Sequence, residues 1–280
     1  MARPHIEFIQ AQALPWSNGL YGSGRADVES KILSLDSTTK ASTGIVRYPA
    51  GWSRPTAEHL TVDEEFLVLD GVIEINGQRY HEYCYANLPA GYVRRTASST
   101  PGAVLLSMFS GEPRVVAGDR GPTVDRRKLV AFIDAYAQPW GGAEDVGNPG
   151  LKELGVRAKW LRRDPDTGEE TYMLAMLPWT EERTETHPVV QEMFLLSGEL
   201  AGGSVGMMQP GGYFWRPEDK IHGPFTSRTG NLVFMRAMGG RLATTFHGRK
   251  AATHSPAFNP ILPPELRSYA KAPAPTISRY

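Results

Sequence analysis

One cysteine, no excess of either charge and no long apolar run: each lack removes a class of function from this chain. A lone cysteine, Cys84, excludes an internal disulfide and a thiolate metal cage, so any metal must be held by His, carboxylate or amide. Within Tyr83-Cys84-Tyr85 it is expected to be a small buried apolar residue rather than a nucleophile. With 30 basic and 30 acidic residues there is no global field to attract phosphate backbones or anionic lipid, and nucleic acid is not expected as a partner. No stretch approaches the roughly 20 apolar residues that span a bilayer. Met1–Phe8 carries no apolar run behind a basic start, so a cytoplasmic protein with no membrane partner is expected. Nor does any long segment keep an amphipathic helical period. What remains is the composition of an ordinary globular protein, 280 residues with 41% hydrophobic and 21% charged, enough for a sizeable core.

What is present is a repeat. Residues 6–16, IEFIQAQALPW, match residues 130–140, VAFIDAYAQPW, with Phe, Ile, Ala, Ala, Pro and Trp identical. Lys31, Leu33, Asp36, Thr39 and Thr43 recur as Lys159, Leu161, Asp164, Thr167 and Thr171, and His59 as His187. Further on, Glu65 and Gly71 recur as Glu192 and Gly198, and Pro89-Ala90-Gly91-Tyr92 as Pro210-Gly211-Gly212-Tyr213. Short runs rich in Val, Ile, Leu and Phe, such as Thr43–Tyr48, Glu65–Leu69, Val72–Ile75, Met193–Leu196 and Asn231–Ala237, predict strands. Asp70-Gly71, Asn76-Gly77 and Ser197-Gly198 punctuate them as turns. The reading is an all-β chain of two tandem small barrels, residues 1–123 and 124–250, followed by a Pro-rich arm, residues 251–280.

The two copies resemble the cupin superfamily, whose barrels carry Gly, two His one residue apart, Glu and Gly, then Pro-x-Gly followed by His. In the first copy Gly51, His59, Glu64, Gly71 and Pro89-Ala90-Gly91 match parts of this frame; in the second His187, Glu192, Gly198, Pro210, Gly212 and His222 do. His187-Pro188 and the run from Glu192 to Gly198 look most like the ChrR-like, anti-sigma-type cupins. The resemblance implies two double-stranded β-helix (jelly-roll) barrels, a bicupin, and a divalent metal, Fe2+ foremost, with Mn2+, Ni2+ or Zn2+ as alternatives.

Carried over position by position, the frame leaves the first barrel degenerate. Ala57 stands two residues before His59, and Arg94 stands where the family has its last His, so a hydrogen-bonded His59–Glu64 pair is expected there rather than a metal. In the second barrel Glu185, His187, Gln191 and His222 occupy the ligand positions, with Glu192 as the alternative to Gln191. Strand alternation places Gln191, Met193 and Leu195 on one face and favours Gln191 inward. Trp179, Met193, Tyr213, Trp215 and Phe225 are expected to wall the pocket, Arg183 or Arg216 to meet a substrate carboxylate or enolate, and Glu192 or Tyr213 to move a proton. The activity implied is that of a non-haem dioxygenase, an oxidoreductase acting on a small diketone or aromatic ketone. A redox-silent isomerase, cyclase or lyase, or a non-catalytic sensor, are the alternatives. A small-molecule substrate or ligand and a homodimer are the expected partners.

Overall fold

Strand follows strand through almost the whole chain, and every pairing is antiparallel, as runs of four to eight β-branched and aromatic residues between Gly-rich turns require. The computed structural model describes residues 3–20, 25–142, 155–203, 205–248, 258–270 and 280. Among these, no helix is long and apolar enough to cross a membrane.

The chain forms two compact units, one built on residues 14–137, the other on residues 4–13 and 138–279. The first unit has a seven-stranded sheet in the order Val130–Asp134, Cys84–Leu88, Glu64–Gly71, Ala103–Phe109, Ser42–Tyr48, Glu29–Leu35, Ser17–Asn18. A four-stranded sheet, Trp52–Arg54, Ala97–Ser99, Ile73–Ile75, Gln78–Tyr80, accompanies it. The second unit repeats the plan: Ile6–Gln10, Gly212–Arg216, Val190–Gly198, Asn231–Met238, Glu170–Met176, Arg157–Arg163, Gly141–Gly142, and then Thr180–Glu182, Phe225–Ser227, Leu200–Gly202, Gly206–Met208. Inward-facing apolar side chains fill each barrel, around Phe66, Val68 and Leu105 in the first and Met193, Leu195 and Val233 in the second.

The strands expected from the sequence are all present, extended by a residue or more at one end or both, except that Val72 stands outside Ile73–Ile75. Gly71 and Gly198 hold equivalent corners, with φ of +74° and +79°. A Cβ there would lie 2.1 Å from the carbonyl oxygen of Gly102 or Gly230, so no other residue fits.

The division at residue 123 needs correction. The repeated edge segments are exchanged: Ile6–Gln10 pairs with Gly212–Arg216 in the second unit, and Val130–Asp134 pairs with Cys84–Leu88 in the first. An edge strand goes wherever an open sheet edge offers backbone donors and acceptors, and nothing in its own residues states which edge that is. Of the C-terminal arm, Ile261 exchanges backbone hydrogen bonds with Glu7 (2.7 and 2.5 Å), and a 3-10 helix follows at Pro264–Tyr269. Residues 251–257 and 271–279 lie outside the described residues.

Candidate metal centre

Three side chains converge inside the second barrel. Glu185 lies in the short strand Thr184–Thr186, held by Thr245–His247 and by reciprocal backbone hydrogen bonds with His222 (2.9 and 3.1 Å). His187 follows directly. All three are buried, and one potential ligand atom from each lies within 4.8 Å of the others. Glu185 Oε1 stands 3.2 Å from His187 Nε2 and 3.1 Å from His222 Nε2.

The protons decide what this cluster is. His187 Nδ1 lies 3.0 Å from the carbonyl oxygen of Ala243, and His222 Nδ1 lies 2.7 Å from that of Lys220. A carbonyl oxygen only accepts, so each Nδ1 carries the hydrogen, and in the neutral ring each Nε2 turns a lone pair toward the carboxylate. Burial, then the nearby Arg216 charge, holds His222 below its ordinary pKa and favours that neutral ring. Burial raises the Glu185 carboxyl, and only protonated imidazoles, donating through Nε2–H, would outweigh it and hold it at about 2; with the rings neutral that support is absent and a cation must take its place. His187 Nε2 is buried without a hydrogen-bond partner, and the Glu182 carboxyl shares a hydrogen bond with the Glu185 carboxylate. Lone pairs facing lone pairs in a dry interior repel unless a cation sits among them. Ligand bonds of roughly 2.0–2.2 Å at cis or tetrahedral angles put neighbouring donor atoms about 2.8–3.6 Å apart, which the 3.1 and 3.2 Å separations meet. The donor set fits a divalent metal.

The cavity beside the cluster has a volume of ≈ 40 Å³ and a mostly apolar wall that includes Leu174, Met193, Phe225 and Val233. On the scale where one water needs about 10–15 Å³, that is room for a few small groups. Polar side chains interrupt the wall, among them Tyr172, Asn231 and Glu182. Tyr172 Oη is buried without a partner, as is Asn231 Oδ1. Burial, then the charge of Glu185, pushes the Glu182 carboxyl well above its usual range, so it stays protonated. Glu182 escaped the sequence reading: in one continuous strand residues 182 and 185 would face opposite ways, but the chain breaks at Arg183 into Thr180–Glu182 and Thr184–Thr186.

The other expected site residues divide by face. The registers Gln191↔Arg216 and Met193↔Phe214 put those four on the cavity side, with Phe225 opposite. Gln191 is nevertheless not placed as a ligand: its Oε1 accepts from Arg216 Nη1. Glu192, Tyr213 and Trp215 are corrected to the opposite face, since alternate residues of a strand point opposite ways. There Glu192 accepts from Tyr213 Oη and, at 2.7 Å, from Arg236. Trp179 is exposed and lines no part of the cavity, and the Arg183 guanidinium sits 4.7 Å from the Phe246 ring centre.

The first barrel shows what fills the same position without a metal. Glu58 and Arg94 exchange the backbone bonds that Glu185 and His222 exchange, so Glu58 is the counterpart of Glu185 and Leu60 that of His187. The sequence pairing of His59 with His187 is therefore one residue out of register. Arg94 Nη2 donates to Glu64 and Arg25 Nη2 to Glu58; Glu64 also accepts from Ser107 at 3.2 Å, and the expected His59–Glu64 pair is not formed. A second grouping in that unit brings together His81, Cys84 and Asp134, with His81 exposed and its ring 3.6 Å from Asp134, and burial raises the Cys84 thiol to about 11.

A family model described as a domain of unknown function, DUF4437, matches residues 9–244. The chain belongs to the DUF4437 family. No curated protein matches it. Solved structures similar to this DUF4437 chain are cupin-fold proteins. A provisionally named dioxygenase from Nostoc punctiforme PCC 73102 is 20% identical with a TM-score of 0.77, covering 89% of this chain and 92% of its own. The oxalate decarboxylase of Lactobacillus farciminis is 8% identical with a TM-score of 0.55, over 86% and 88%. The salicylate 1,2-dioxygenase of Pseudoaminobacter salicylatoxidans is 12% identical with a TM-score of 0.51, over 75% and 76%. At these identities the likeness is one of fold.

Proposed function

We propose that this DUF4437 protein is a metal-dependent cupin enzyme whose second barrel holds one divalent ion, Fe2+ foremost, on Glu185, His187 and His222, and oxidises a small oxygenated organic substrate with dioxygen. The observation that carries the reading is the convergence of two Nε2 lone pairs on one buried carboxylate. Two His and one carboxylate with open positions form the donor set of non-haem iron oxygenases. The ion, when bound, would supply Lewis acidity and, if iron, electrons for dioxygen reduction. The protein's share is positional. The carbonyls of Ala243 and Lys220 fix the imidazole tautomers and aim Nε2 inward. Apolar side chains exclude water and accept a compact ketone or diketone body, while Tyr172 Oη offers a hydrogen bond to a substrate oxygen. A redox-silent isomerase or lyase is the second reading, favoured by the protonated Glu182 on the same wall.

Metal content by mass spectrometry, on protein purified without a metal-affinity tag, tests the site. About one equivalent per chain is expected in the wild type and none in His222→Ala. Equal metal in both proteins would sink the assignment. Oxygen uptake with diketones and aromatic ketones then separates the two readings: turnover without oxygen consumption selects the redox-silent one.

A further inference from the structure

A guanidinium inside a cation site competes with the cation, and both barrels contain one. In the first, Arg25 and Arg94 have taken the carboxylates Glu58 and Glu64. In the second, Arg216 is just as deeply buried and lines the cavity that holds Glu185, yet its donors point elsewhere. Nε donates to Glu7 Oε2 at 2.9 Å, Nη2 donates to Glu7 Oε1, and Nη1 donates to Gln191 Oε1. Glu7 arrives on the exchanged strand Ile6–Gln10, pinned on one side by Gly212–Arg216 and on the other by Ile261. It is thus a rigidly placed counter-ion for Arg216, with His5 Nε2 3.0 Å from its Oε2.

We propose that Glu7 is a positioning residue that holds Arg216 away from the Glu185–His187–His222 cluster and so keeps that cluster open to a divalent cation. The proposal rests on the metal reading above. Without Glu7, Arg216 becomes an unpaired buried charge. The carboxylate of Glu185 is then a partner in the same cavity, and pairing would reproduce the arrangement of the first barrel. The N-terminal strand then does more than close a sheet; it decides whether the barrel binds a metal or neutralises itself.

The test is titration calorimetry of the full chain, stripped with chelator, against Mn2+ and Zn2+ alone. Glu7→Gln is expected to weaken binding by about ten-fold or more, while Glu7→Asp, which keeps the charge, stays within about three-fold of wild type. Adding Arg216→Met to Glu7→Gln is expected to restore affinity to within about three-fold, because Glu7 matters only while residue 216 is charged. A folded Glu7→Gln that binds as the wild type does would overturn the proposal and leave the metal site standing. A wild type that binds neither ion would overturn both. Should Glu7→Gln not fold, Arg216→Met is compared with Glu7→Gln/Arg216→Met: matched affinities support the proposal, and a gap of about ten-fold refutes it. A purely structural Glu7 would shift the melting temperature and leave the affinity of the folded protein unmoved.

Discussion

The two barrels share one strand plan and differ in who supplies the positive charge at the centre. In the first, Arg25 and Arg94 face Glu58 and Glu64, two cations against two carboxylates, and the interior is electrically closed. In the second, Arg216 is matched by Glu7, which leaves Glu185, the protonated Glu182 and two imidazole lone pairs around a cavity short of one cation. The difference teaches that a barrel of this kind can keep a polar centre with its charges already matched. On the reading proposed above, exchanging His for Arg at the position of Arg94 and His222 would convert a site that borrows a cation into one that owns it.

Breaking the closed barrel gives the largest expected effect. Arg94→Met leaves the buried Glu64 carboxylate with a hydrogen bond from Ser107 and the Arg25 charge in the same cavity but no ion-pair partner of its own, and losing one partner of a buried pair costs about 3–5 kcal/mol. Urea unfolding of the first barrel should show a loss of that size, with metal affinity unchanged; Arg94→Met/Glu64→Met should recover most of the stability. A loss below about 1 kcal/mol would mean the pair is not what closes the interior.

Acid should sharpen the comparison at nearly the same size. Burial alone would raise the Glu7 carboxyl, but the charge of Arg216 and the hydrogen bonds from His5 and Arg216 prevail and hold it at about 2, against an ordinary 4.5. A depressed folded-state pKa contributes stability above the unfolded value and loses it as pH falls through the folded one. That contribution, about 3 kcal/mol at neutral pH, is expected to disappear between about pH 4.5 and 2. Unfolding midpoints of the wild type and of Glu7→Gln/Arg216→Met, followed from pH 6 to 2, should converge over that window. Parallel curves would break the argument.

Much of this was legible in the residues, and the failures have physical causes. The repeat, the all-β character and Gly71 and Gly198 could be read because turns and alternation are local. Glu185, His187 and His222 could be read because their spacing follows the barrel frame. The exchange of Ile6–Gln10 and Val130–Asp134 could not, since pairing is chosen by the sheet edge that receives the strand. Nor could the one-residue slip between His59 and His187, where identity of residue type competed with backbone register and lost. Gln191 illustrates the subtler limit. Alternation put it on the correct face, but the direction of its amide depends on Arg216, which depends in turn on Glu7 far away in the chain.

The smallest expected effect concerns the residues that the sequence cast as proton movers. Tyr213 and Glu192 bond to each other on the face opposite the cavity, and Arg236 completes the neutralisation of the carboxylate. A phenol that donates to a carboxylate turned away from the metal cluster has no path to a substrate held beside Glu185. Tyr213→Phe should therefore cost about 1 kcal/mol of stability, the ordinary value of one buried hydrogen bond, and leave Mn2+ affinity and the pH profile of turnover as in the wild type. The first barrel supplies its own control, because Tyr85 Oη donates to Glu65 at 2.6 Å in the matching position, where Arg25 and Arg94 pair with the central carboxylates. If Tyr85→Phe and Tyr213→Phe lose similar stability, the pair is a structural element of the strand plan common to both barrels. A shifted pH profile in Tyr213→Phe alone would instead return Tyr213 to the chemistry and reopen the assignment of faces.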